Sequence, residues 1–67
     1  MTGLRKIRKQ KRITQQRLSF DLNISREALS YYENGKRDPS LDMLKKMSQY
    51  FNVSIDYLIN GEEFSRR

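Results

Sequence analysis

The chain of 67 residues carries 14 Lys and Arg against 8 Asp and Glu, a formal charge of +6, and has neither Cys nor His. That length supports one small domain, which buries only about 60% of the surface of its unfolded chain and so needs a compact core. The composition excludes disulfide staples, Cys/His zinc sites, thiol nucleophiles and histidine acid/base chemistry, while a pI near 10.0 calls for a polyanionic partner, either nucleic acid or an anionic membrane surface.

In chain order, Leu4 and Ile7, set among Arg5, Lys6, Arg8 and Lys9, predict a first short helix that begins after Thr2 and Gly3. Thr14 is an N-cap for a second helix over 15–22, which carries Leu18 and Leu22 on one side. Asn23 ends it, because Asn tolerates the left-handed backbone of a tight turn. Ser25 caps a third helix from Arg26 to the stop signal Asn34-Gly35, and residues 36–39 form a polar connection. Ser40 caps a fourth helix whose Leu41, Leu44, Met47 and Phe51 form a core-facing stripe that Asn52 ends. Ser54 caps a short fifth helix through Ile55 and Leu58, closed by Asn60-Gly61.

Short turns and the lack of period-two alternation predict an all-α fold, a compact bundle of five short helices without strands. The domain is expected over residues 1–61 and a C-terminal tail over 62–67. The expected core is Leu4, Ile7, Leu18, Leu22, Ile24, Leu29, Tyr32, Leu41, Leu44, Met47, Phe51, Val53, Ile55 and Leu58. No apolar run approaches the roughly 20 residues of a membrane span, and none of signal-peptide length follows the basic N-terminus. The expectation is a cytoplasmic, nucleoid-associated protein.

The third helix is the most informative segment. With about 100° per residue and Ser25 as zero, Ala28, Leu29 and Tyr32 define the buried side. Arg26, Glu27, Ser30 and Tyr31 face outward together, near roughly 170°. Such a set can distinguish base edges: Arg donates in bidentate fashion to guanine, and a carboxylate accepts from the cytosine amino group. A two-turn helix, a tight turn and a second helix make a helix-turn-helix, whose second helix enters the major groove while the first crosses the backbone.

The residues Thr14-Gln15-Gln16-Arg17-Leu18, Leu22-Asn23-Ile24-Ser25-Arg26, Leu29 through Arg37 and Pro39-Ser40-Leu41 together resemble the lambda Cro and repressor type of helix-turn-helix, the XRE family, over about Leu4 to Leu58. The chain departs from that pattern at Ser19 and Ser48, where Ala is usual, at Asn23 and Asn52, where Gly is common, and at Tyr32, where the family has an aliphatic residue. The resemblance implies a lambda repressor-like fold and a DNA-binding regulator, with base readers at Ser25, Arg26, Glu27, Ser30 and Tyr31, beside Ala28. It implies phosphate contacts from Gln15 and from the loop bearing Asn34, Lys36 and Arg37, where free backbone amides would also serve, and a structural ion pair between Arg8 and Glu33. Lys9, Lys11 and Arg12, beside the second helix, add attraction for phosphate.

The expected partner is double-stranded DNA, a palindromic operator bound by a homodimer whose third helices lie about 34–36 Å apart. The expected role is a small repressor. No enzyme, metal, cofactor, small-molecule ligand or membrane partner is implied. The dimer surface is not set by the sequence, with Tyr57, Ile59, Phe64 and the tail as candidates. Two other readings of the same fold are a protein-interaction module bridging other factors and an antitoxin component. Against the first, Arg26, Glu27 and Tyr31 do not make an apolar docking patch. Ten basic residues against three acidic give +7 for residues 1–37 and −1 for the rest, so the excess charge lies in the helix-turn-helix half.

Overall fold

In a computed structural model of the chain, which describes residues 1–62, five helices run in the order α1 (Thr2–Gln10), α2 (Gln15–Leu22), α3 (Arg26–Asn34), α4 (Leu41–Phe51) and α5 (Ile55–Asn60), and no strand occurs among the described residues. The start signals act as the sequence predicts: the hydroxyls of Thr14, Ser25, Ser40 and Ser54 accept from the amides of Arg17, Ala28, Met43 and Tyr57. The stop signals do too, because Asn23, Gly35, Asn52 and Gly61 all end their helices in the left-handed conformation.

One boundary differs. α1 starts at Thr2, so Gly3 lies inside the helix and not before it. Gly3 is buried where α1 packs on α5, and a Cβ there would sit 1.6 Å from the Tyr57 carbonyl oxygen. Only a residue without a side chain lets the two backbones meet so closely. Lys6 Nζ donates to the Gly61 carbonyl at 3.1 Å across the same contact.

Leu4, Ile7, Leu18, Leu22, Leu29, Met47, Phe51 and Leu58 form the buried core, with contributions from all five helices. Ile24, Tyr32 and Val53 are half-buried against it, and Leu44 and Ile55 are half-buried. Leu41, expected inside, is 61% exposed. The phase explains this, since stepping back six residues from buried Met47 turns a helix by about 600°, roughly 120° off the buried direction, whereas four residues back lands near it. Met43 is at that position and packs on the core. The two serines that replace the family's alanines are satisfied locally: Ser19 Oγ donates to the Gln16 carbonyl at 2.9 Å and Ser48 Oγ to the Val53 carbonyl at 2.5 Å.

Candidate nucleic-acid interface

The turn between α2 and α3 is built from Asn23 at φ 61° and ψ 44°, with the amides of Asn23 and Ile24 returning to the carbonyls of Phe20 and Ser19 at 3.1 and 2.9 Å. These bonds satisfy carbonyls that the end of α2 would leave open, while buried Leu18, Leu22 and Leu29 lock the two helices together. α3 is therefore held by packing along one side, with its other side outward.

On that side, Arg26 and Glu27 are exposed in the first turn of α3, and no hydrogen bond or ion pair among the described residues engages either side chain. Ser25 is exposed, its hydroxyl accepting the cap bond from Ala28 N at 3.0 Å, and Ala28 is half-buried. Ser30 and Tyr31 are half-buried and already engaged: Asn34 Nδ2 donates to Ser30 Oγ at 3.3 Å, and the Arg37 guanidinium carbon lies 5.5 Å from the Tyr31 ring centroid. The structure thus gathers the five expected base readers at α3: Ser25 is its cap, Arg26 and Glu27 are two free ionic groups at its start, and Ser30 and Tyr31 are two pre-engaged groups a turn later.

The groups expected to meet phosphate lie in the turn before α2, at the end of α3 and in the loop after it. Lys11, Arg12, Asn34, Lys36 and Arg37 are all exposed. Arg12 adopts φ 60°, an uncommon backbone for a residue with a side chain, where the α1–α2 turn closes through bonds from Arg12 N to Lys9 O and from Ile13 N to Arg8 O. In the loop after α3, the expected free amides are partly occupied. Gly35 N donates to Tyr32 O at 3.3 Å and Lys36 N to Tyr31 O at 2.9 Å, both closing α3. The side chains of Lys36 and Arg37 are what this end of the loop offers an anion.

Arg8 and Glu33 form the expected ion pair, and the structure adds two partners to it. Arg8 donates from Nε to Glu33 Oε2 at 2.6 Å and from Nη2 to Oε1 at 3.2 Å, and its Nη1 donates to the Ile13 carbonyl at 2.9 Å. Gln15 Nε2 donates to Glu33 Oε1 at 3.0 Å, and the Glu33 side chain is 2% exposed. The resemblance implies Gln15 as a phosphate contact, but its bond to Glu33, 18 positions away, carries no sequence signal. Sequence reasoning also passed over Lys46, whose Nζ donates to the Leu22 carbonyl at 2.7 Å and so supplies a cation at the end of α2.

Beside α2, an exposed link ties it to α4. Tyr50 donates to Asp21 Oδ2 at 2.5 Å and Arg17 Nε donates to the same oxygen at 3.1 Å. The Tyr50 bond first, then the Arg17 bond, hold the Asp21 carboxyl below its usual range. Donating to that carboxylate pushes the Tyr50 phenol up. Away from these groups, exposed Ile59 lines a shallow cavity of ≈ 290 Å³ with Met1, Asp38, Pro39 and Leu44. Tyr57 is half-buried on the core, and Phe64 and the rest of 63–67 lie outside the described residues. No helix is long and apolar enough to cross a membrane among the described residues.

Comparison with known proteins agrees with this geometry. A family model described as helix-turn-helix matches residues 4–58. The chain is 46% identical over 60 residues to the uncharacterized HTH-type transcriptional regulator YqaE of Bacillus subtilis, covering 90% of this chain and 52% of that protein. It is 43% identical over 60 residues to the HTH-type transcriptional activator BcrR of Enterococcus faecalis, covering 90% of this chain and 29% of that one. To the HTH-type transcriptional regulator ImmR of Bacillus subtilis it is 41% identical over 64 residues, covering 96% of this chain and 50% of that protein. The chain therefore spans about half the length, or less, of these relatives. No solved structure matches.

Proposed function

The chain belongs to the helix-turn-helix family, and from that premise we propose that it is a sequence-specific DNA-binding transcriptional regulator that reads a palindromic operator as a homodimer. The carrying observation is the unpartnered pair Arg26 and Glu27, exposed at the start of a helix that packing holds rigidly on its other side. Placed in the major groove, Arg26 donates to a guanine edge and Glu27 accepts from a cytosine amino group. Gln15, Lys11 and Arg12, at and before the start of α2, and Asn34, Lys36 and Arg37, at the end of α3 and in the loop after it, take phosphates, which set the register of α3 without reading sequence.

One general argument and one observation support the finer parts of this reading. One helix-turn-helix reads few base pairs, so two copies about 34–36 Å apart supply the remaining specificity. Exposed Ile59, beside Pro39 and Leu44, offers apolar surface for pairing. We read the outcome as repression, because occluding a promoter needs only occupancy. The named activity of one relative is activation, so a promoter fusion decides the sign: expression of the protein lowers reporter output if it represses, and a rise overturns that part.

Selection of operators from random duplexes, run with the parent and with Arg26→Ala, tests the site. The parent should return two half-sites related by two-fold symmetry. Arg26→Ala should lose preference at one base pair in each half-site, at a cost of about 1–3 kcal/mol. Uniform weakening on all sequences would reassign Arg26 to phosphate, and selected sites without symmetry would remove the dimer.

A further inference from the structure

We propose that Glu33 is a positioning residue for DNA: its buried carboxylate, locked by Arg8, sets the side-chain amide of Gln15 before a phosphate arrives. The inference rests on the DNA-binding reading above. It goes beyond that reading by giving the buried ion pair a part in binding as well as in holding α1 to α3.

The geometry carries it. Glu33 accepts three hydrogen bonds, two from Arg8 and one from Gln15, at distances of 2.6, 3.2 and 3.0 Å. An ionised carboxylate only accepts, so the Gln15 amide must turn its nitrogen toward Glu33, which fixes the otherwise ambiguous orientation of the group. A carboxamide nitrogen has two N–H bonds. One is held by Glu33, which leaves the second, on a half-exposed side chain at the start of α2, for an anion. The first free backbone amides of α2 and the positive end of its dipole share that location.

Arg8 completes the arrangement from the other side. Its Nη1 bond to the Ile13 carbonyl fixes the chain one residue before the Thr14 cap, so a single guanidinium sets both the entry into α2 and the carboxylate that holds its first side chain. A Gln free to rotate loses its rotamer freedom when it grips a phosphate, which costs about tenfold in affinity. Gln15 has lost that freedom already.

The test uses the full chain and the selected operator, with single phosphates replaced in turn by neutral methylphosphonates. The parent should lose about tenfold at one phosphate per half-site, and Gln15→Ala should be indifferent there. Arg8→Met combined with Glu33→Leu replaces the buried pair by apolar groups, a change that buried pairs commonly tolerate. This double variant should lose most of the sensitivity at that phosphate and keep it at the others, and adding Gln15→Ala should have little further effect. Arg8→Lys, which keeps a cation beside the carboxylate, should retain the sensitivity.

A double variant as sensitive as the parent at that phosphate, or one weakened equally at every phosphate, overturns the proposal by reducing the pair to a fold element. Should the double variant not fold, the side-chain amide resonances of Gln15 in the free parent chain decide. A shifted, exchange-slowed pair supports the positioning, and averaged values typical of free glutamine overturn it. A parent that binds no duplex at all overturns this inference and the DNA reading together, whereas failure of the phosphate pattern alone overturns only the inference.

Discussion

Glu33 and Asp21 are both carboxylates paired with an arginine, and their surroundings give the two pairs different weight. The Glu33 side chain is 2% exposed and that of Arg8 11%, so removing one partner strands a charge that water cannot reach. Glu33→Ala should therefore cost about 3–5 kcal/mol, read as a fall in unfolding free energy in urea. Arg17 is largely exposed and Asp21 half-buried, so water still screens their pair and it contributes little to stability. The Arg8 and Glu33 pairing was legible from the resemblance, and the exposure of Arg26 and Glu27 from helical phase. What neither gave is the bond from Gln15 to Glu33, because no periodicity links residues on different helices. The occupied amides of Gly35 and Lys36 were missed for a related reason: a left-handed cap after α3 uses them to satisfy carbonyls of Tyr32 and Tyr31.

Among the elements, caps were the most legible feature, since Thr14, Ser25, Ser40 and Ser54 each act within one turn of their own position. The misread start of α1 shows the converse. Gly inside a helix is intrinsically unfavourable by about 1 kcal/mol relative to Ala, so Gly3 reads as a boundary. The reason it stands inside α1 is the backbone of α5, more than fifty residues away in sequence. Gly3→Ala separates the two effects: propensity favours Ala, but its Cβ falls on the Tyr57 carbonyl and must displace α1. A net loss of about 1–3 kcal/mol in thermal or chemical unfolding is expected, and a gain would show that the helices yield. The link from α2 to α4 carries a pH signature. The Asp21 carboxyl titrates below its usual value when folded, so its contribution is present above the unfolded value and disappears as pH falls through the folded one. In melts run from neutral pH into acid, Asp21→Asn should be less stable than the parent at neutral pH, and the two curves should converge in acid. A constant offset would assign the effect to something other than titration.

At the scale of the whole molecule, fewer of the ten basic side chains in residues 1–37 are free to meet phosphate than the count suggests, although the net +7 is unchanged by their pairing. Arg8 is committed to Glu33, Arg17 to Asp21, and Lys6 to the Gly61 carbonyl. If two copies neutralise six to ten phosphates between them, log K for duplex DNA should fall against log salt with a slope of about −5 to −9. Arg17→Ala should leave that slope nearly unchanged, while Lys36→Ala and Arg37→Ala should each reduce it by about one for every phosphate contact removed. A flat salt response would remove the DNA reading altogether. The contact between α1 and α5 bears on how the chain reaches this state. α2 and α3 are neighbours in sequence and can pair early through local contacts, but α1 meets its main partner only after the chain has come round upon itself to bring Gly3 to Tyr57. Folding therefore closes a ring whose last joint has the greatest loop entropy, so the α2–α3 pair can assemble while the first helix is still searching for its seat.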